Sequence, residues 1–130
     1  MRLKHFNLPV GAQFMKALGD ESRIRITNLL LEARELTITD LELILDFTQT
    51  KTSRHVTYLK NSGLLTTQKH DQWVIYRIKE EWLDVIRQIL SFFEKDAQLM
   101  KDIETYKTLN SNRELFSGKI NKNRWTGFNA

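Results

Sequence analysis

Thr48-Gln49-Thr50-Lys51-Thr52-Ser53-Arg54-His55-Val56-Thr57-Tyr58-Leu59-Lys60-Asn61-Ser62-Gly63 is the stretch from which the fold is read. Thr48 can cap a helix starting at Gln49, because its side-chain oxygen accepts from an amide that the first turn leaves without a partner. Gly63 supplies the left-handed residue that closes such a helix. Thr52, Val56 and Leu59 recur at helical spacing and form the inward stripe. The rest of the face, Gln49, Thr50, Lys51, Ser53, Arg54, His55 and Thr57, is hydrogen-bonding and carries no carboxylate. A merely solvated helix more often mixes glutamate with lysine, since such i,i+4 pairs support it.

Upstream, Asp46-Phe47-Thr48 is a three-residue break after a short helix. Thr39-Asp40-Leu41-Glu42 reads as the capping box that starts it, with Leu41, Ile44 and Leu45 facing inward. Before that, Leu8-Pro9 opens a first helix with Val10, Phe14 and Leu18 in one stripe, ended by Gly19. Asp20 caps a second helix with Ile26, Leu29, Leu30 and Ala33 on its apolar face. Downstream, residues 64–69 and 73–78 are rich in β-branched and aromatic side chains and flank His70-Asp71-Gln72, a hairpin tip. Residues 80–107 contain no Gly or Pro and read as one long helix, with Trp82, Ile86, Ile89, Phe93, Ala97, Met100 and Ile103 along it. Such a helix would span about 40 Å, more than a small domain covers, so its stripe is expected to continue onto a second chain. The polar tail from Asn110 carries Leu115, Phe116, Trp125 and Phe128, which suit folding back onto its own subunit or a partner.

The 130 residues allow one domain, read as residues 1–108, followed by a basic C-terminal tail, residues 109–130. With no cysteine there is no disulfide, thiol nucleophile or thiolate metal site. No apolar run approaches the ~20 residues of a membrane helix. The start has charge but no apolar secretion core, so a cytoplasmic protein without membrane contact is expected. No nucleophile–base set or phosphate loop emerges, and an enzyme is not expected. Charge is uneven: residues 49–79 hold six basic side chains against one acidic, Asp71, while residues 80–107 hold seven acidic against four basic. A basic block between acidic ones suggests one face built for a polyanion, with a plain solvated face as the competing reading.

The order of elements is helix, helix, short helix, tight turn, polar helix, hairpin, long helix. This is mainly α with a small β-hairpin wing: a winged helix-turn-helix with long N- and C-terminal dimerisation helices. Lys16-Ala17-Leu18-Gly19-Asp20-Glu21-Ser22-Arg23-Ile24-Arg25-Ile26 resembles the "LadptRlrIL" opening of the ArsR/SmtB repressor family. Residues 48–56 resemble its recognition helix "SQSTVSRHL". Asn61-Ser62-Gly63-Leu64-Leu65 resembles its "aGLV" step, and Trp73-Val74-Ile75-Tyr76-Arg77-Ile78 its "WVYYRL" wing strand. The resemblance implies a homodimeric repressor on double-stranded DNA with an inverted-repeat operator. It places Val10, Phe14, Leu18, Ile86, Ile89, Phe93, Ala97 and Met100 at the dimer interface.

On DNA, Gln49, Thr50, Ser53 and Arg54 are expected at base edges, since arginine suits guanine and glutamine suits adenine. Lys51, His55, Thr57, Tyr58 and Lys60 are expected on phosphate. Lys69, His70 and Gln72 would add backbone or minor-groove contacts from the wing, and Arg77 is read as structural within the hairpin. For Arg54 the competing reading is a surface ion pair with Asp46 or Glu42. Where the family's metal sensors carry cysteines in "ELCVCDL", this chain has Glu35-Leu36-Thr37-Ile38-Thr39-Asp40-Leu41, with Thr37 and Thr39 at the thiolate positions. The last helix keeps Asp84, Glu94 and Asp96 but has no histidine. No cofactor and no metal at the known family sites is therefore expected. The alternative to DNA readout is a winged-helix module that docks a protein, which would instead show exposed aromatics or leucines at 49–79.

Overall fold

The structure, a computed structural model, describes residues 5–120. Helix α1 (Leu8–Leu18) begins where Asn7 accepts from the Val10 amide at 2.9 Å, with Pro9 in the first turn. Asp20 caps helix α2 (Glu21–Ala33) by accepting from the Arg23 amide at 3.1 Å. Ile26, Leu29 and Leu30 are buried, and α2 packs against α1 and the later elements at the centre of the subunit.

Helix α3 (Ile38–Leu45) buries Leu41, Ile44 and Leu45 as its spacing predicts, but its capping box lies two residues earlier than expected. Thr37 accepts from the Asp40 amide at 3.1 Å, and Asp40 accepts back from the Thr37 amide at 3.1 Å. Thr39 and Glu42 have the same spacing. The choice falls on Thr37 because the Asp40 carboxylate also receives two distant amides, from Phe116 and Ser117. Asp46, with φ 58, turns the chain into helix α4 (Gln49–Asn61), capped by Thr48 on the Lys51 amide. Thr52, Val56 and Leu59 are buried.

Gly63, with φ +87, leads into the wing. Strands β1 (Leu65–His70) and β2 (Trp73–Ile78) are antiparallel, from Leu65 opposite Ile78 to His70 opposite Trp73. Asp71 takes φ 56 at the tip, a conformation aspartate tolerates better than most residues. Leu36 pairs with Tyr76 through two backbone hydrogen bonds, which ties the loop before α3 to the wing.

The long C-terminal helix is not continuous. Helix α5 (Glu80–Ser91) stops at Phe92, and helix α6 (Ala97–Ser111) restarts under an Asp96 cap that accepts from the Gln98 and Leu99 amides at 2.9 and 3.1 Å. Helix α6 then turns back across α2 and α3, where Arg25 holds Asp102 through two hydrogen bonds of 2.9 and 3.0 Å. The single extended stripe along 80–107 therefore does not form, and part of its apolar surface is satisfied within the subunit. Of the expected dimer residues, Phe14, Leu18 and Ile86 belong to the subunit's own core, so these three correct the sequence reading. Ile89 is half-buried, and Val10, Phe93, Ala97 and Met100 are exposed. The boundary after residue 108 falls inside α6, and Leu115 joins the main core cluster. Residues 109–120 are thus part of the same folded body. The tail aromatics Trp125 and Phe128 lie outside the described residues.

Candidate nucleic-acid interface

Gln49, Thr50, Arg54, Thr57 and Lys60 are exposed on α4, and Ser53 is half-buried beside them. Among the described residues Arg54 has no ion pair with Asp46 or Glu42. Lys51 lays its Nζ over the Phe47 ring at 4.0 Å. Tyr58 is half-buried because the Arg23 guanidinium covers its ring at 4.1 Å. On the wing, Lys69 and Gln72 are exposed and His70 is half-buried. Arg77 is bound to Glu35 by two hydrogen bonds of 2.7 and 2.9 Å, which fastens β2 to the loop between α2 and α3.

His55 is not on this face. It is 7% exposed, with Nδ1 3.4 Å from Arg23 Nη1 and 4.0 Å from Asp20 Oδ1. Burial lowers its pKa more than the nearby Asp20 carboxylate raises it, and Arg54, Arg23 and Lys51 push the same way as burial. The ring is therefore neutral at pH 7, and its contact with Asp20 is polar rather than ionic. A buried neutral imidazole offers no charge to phosphate, so the expectation of a phosphate contact from His55 is corrected. The signal was present: position 55 is three after Thr52 and four before Leu59, on the inward stripe.

Arg23, which the sequence reading did not single out, sets the seat of α4. Its Nε donates to the Ala17 carbonyl at 2.6 Å and its Nη2 to the Lys16 carbonyl at 3.3 Å, so it closes the end of α1 while facing His55 and Tyr58. Just beyond the C-terminus of α4, the Trp82 indole donates to the Gly63 carbonyl at 3.1 Å. Trp82 is itself stacked between Phe6 and Phe14, with ring centroids at 4.1 and 4.4 Å. The middle and the C-terminal end of the polar helix are thus fixed by contacts that leave its outer face open.

Among the described residues no three His, Cys, Asp or Glu side chains gather as a metal site. Thr37 is occupied as the cap of α3. No described helix is long and apolar enough to cross a membrane.

Residues 20–67 match the family described as bacterial regulatory protein, arsR family. The arsenical resistance operon repressor of Escherichia coli (strain K12) is 47% identical over 73 residues, 56% of this chain and 61% of that protein. The chain thus spans less than two thirds of that relative. The arsenic resistance transcriptional regulator ArsR2 of Pseudomonas putida is 36% identical over 88 residues, 67% of this chain and 76% of that protein. Among solved structures, HlyU from Vibrio cholerae N16961 matches with a TM-score of 0.62 and 27% identity, covering 69% of this chain and 98% of that one.

Proposed function

Since the chain belongs to the arsR family of bacterial regulatory proteins, we propose that it is a sequence-specific DNA-binding transcriptional regulator, and that it works as a homodimeric repressor on an inverted-repeat operator. It is a regulator and not an enzyme. The observation that carries the DNA reading is the outer face of α4, where Gln49, Thr50, Ser53, Arg54, Thr57 and Lys60 stand together without a carboxylate. Arginine and glutamine read base edges in a major groove about 12 Å wide, which admits one helix. Lys51 and Lys60 contact phosphate, and Lys69 and Gln72 add backbone contacts from the wing. Dimerisation is supported by apolar side chains left open on α1 and around the α5–α6 turn: Leu8 (84% exposed), Met15 (67%), Phe92 (85%) and Met100 (54%).

The signal is not a metal bound through the thiolate positions, because Thr37 and Thr39 stand there and threonine is a poor ligand for soft metals. Selection of bound DNA from a random pool tests the reading. An enriched inverted repeat supports both readout and two-fold symmetry. A pool that stays random, with no retention on DNA at low salt, overturns it. Zinc or arsenite added to the resulting complex is expected to leave its affinity unchanged.

A further inference from the structure

Helix α6 ends at Ser111, and Arg113, with φ 59, reverses the chain. The next residues run back over α3 and the wing. Leu115 enters the core at 1% exposure, and Phe116 and Ser117 give their amides to Asp40 at 2.6 and 3.0 Å. Those two bonds hold the start of a last helical turn over residues 116–120. They also aim the Phe116 ring at the wing, where it stacks on Trp73 with centroids 4.4 Å apart and planes 29° apart. Lys119 Nζ lies 5.0 Å from the same ring.

Trp73 is the first residue of β2 and pairs with His70, so the stack grips the hairpin beside its tip. A two-stranded ribbon is marginal by itself in water and needs a surface to lie on. The inner end of this ribbon has one, since Leu65 and Ile78 sit in the main core cluster. Trp73 and Phe116 are only half-buried and stand outside that cluster, so their contact fixes the outer end without being part of the central packing. The family match ends at residue 67, well before this segment.

We propose that residues 112–120 are a buttress that holds the wing tip in the pose in which Lys69 meets the DNA backbone. Phe116 is the positioning residue and Asp40 its anchor. The inference rests on the DNA-binding reading above. It is specific to the far end of the wing: loss of the Phe116 ring frees the tip while the recognition helix keeps both of its own attachments.

The test is a double-mutant cycle on the full chain, using the DNA enriched by selection and a salt series. Lys69→Ala and Phe116→Ala are each expected to weaken binding about fivefold and to lower the salt slope by about one. In the double variant the second substitution adds no further loss, because a freed tip no longer presents Lys69. A Phe116→Ala protein that keeps the wild-type slope, or losses that simply multiply, overturns the buttress. If Phe116→Ala does not fold, Phe116→Leu keeps the apolar contact while removing the stack. The same lowered slope is expected from it, and a wild-type slope overturns the proposal. A wild-type chain that binds no DNA overturns the earlier reading instead, so the two failures are distinct.

Discussion

The Asp40 carboxylate accepts the Phe116 backbone amide at 2.6 Å from 76 residues away. The same fully buried carboxylate takes the Ser117 amide at 3.0 Å and the Thr37 amide at 3.1 Å. One side chain thus caps α3 and anchors the C-terminal segment, and these three partners are all donors. Asp40→Asn replaces one acceptor oxygen with a donor that faces those amides. A loss of about 1–3 kcal/mol is expected in urea unfolding, because a buried group left without its partner pays its desolvation in full. Unchanged stability would mean that the carboxylate is not needed at either helix start.

Arg54 has the opposite character, exposed and without an ion pair among the described residues. Arg54→Ala is expected to leave stability within about 0.5 kcal/mol of wild type. Its DNA affinity falls by about 1–3 kcal/mol, with relaxed preference at one base position. Binding curves on the enriched site and its single-base variants check both, and an unaltered base preference removes Arg54 from the reading face.

His55 makes stability depend on pH in a direction that follows from its burial. Its folded pKa lies below the ordinary histidine value of 6.5. Below 6.5 the unfolded chain takes up a proton that the folded chain refuses, so the unfolded state binds more protons there. Stability is therefore fully present above 6.5 and is lost as pH falls through the folded value. Burial also works against the Asp20 carboxylate, yet the Arg23 amide and guanidinium, together with His55 and the Ser22 amide, outweigh it and hold its pKa below 3.8. Its contribution is lost only in stronger acid. Chemical unfolding at pH 7.5 and 5.5 is expected to show a larger drop for wild type than for His55→Gln, and equal drops would contradict the assignment.

Phe93 is 46% exposed in the turn between α5 and α6, next to Phe92 and near Met100 in sequence. A charge there disfavours burial against a second copy. Phe93→Glu is expected to sediment as a 15.4 kDa chain at concentrations where wild type sediments at twice that mass. Dimers of undiminished strength in the variant would place the interface elsewhere.

The helix-turn-helix and the wing were legible because each reading rested on local signals that the packing reinforces. Thr48 caps α4, Gly63 closes it with a positive φ, and β-branched runs flank the tip, which is one residue shorter than read because His70 pairs with Trp73 inside the ladder. The break at 92–96 was not, since no Gly or Pro marks it. Asp96 makes it by capping a new helix, and a lone aspartate in a charged stretch looks like any surface acid. The choice between Thr37 and Thr39 was equally closed to local reading, because each has a carboxylate three residues on. The tie is broken by Phe116 and Ser117, which no window around residue 40 contains. Of the candidate site, the exposed cations and amides of α4 were readable from composition. Arg23 was not, because its work is done on carbonyls and rings from two other helices.

The indole of Trp82 joins the first helix to the joint between α4 and the wing. It is gripped by Phe6 and Phe14 on the N-terminal side and hydrogen-bonded to Gly63 at the joint where the reading helix gives way to the wing. Where two subunits meet through α1 and α5, the separation of their two reading helices is thereby geared to that meeting surface. On the proposed inverted-repeat operator, a shift of the subunit contact would change the span between half-sites, and so set which spacer length the pair can straddle.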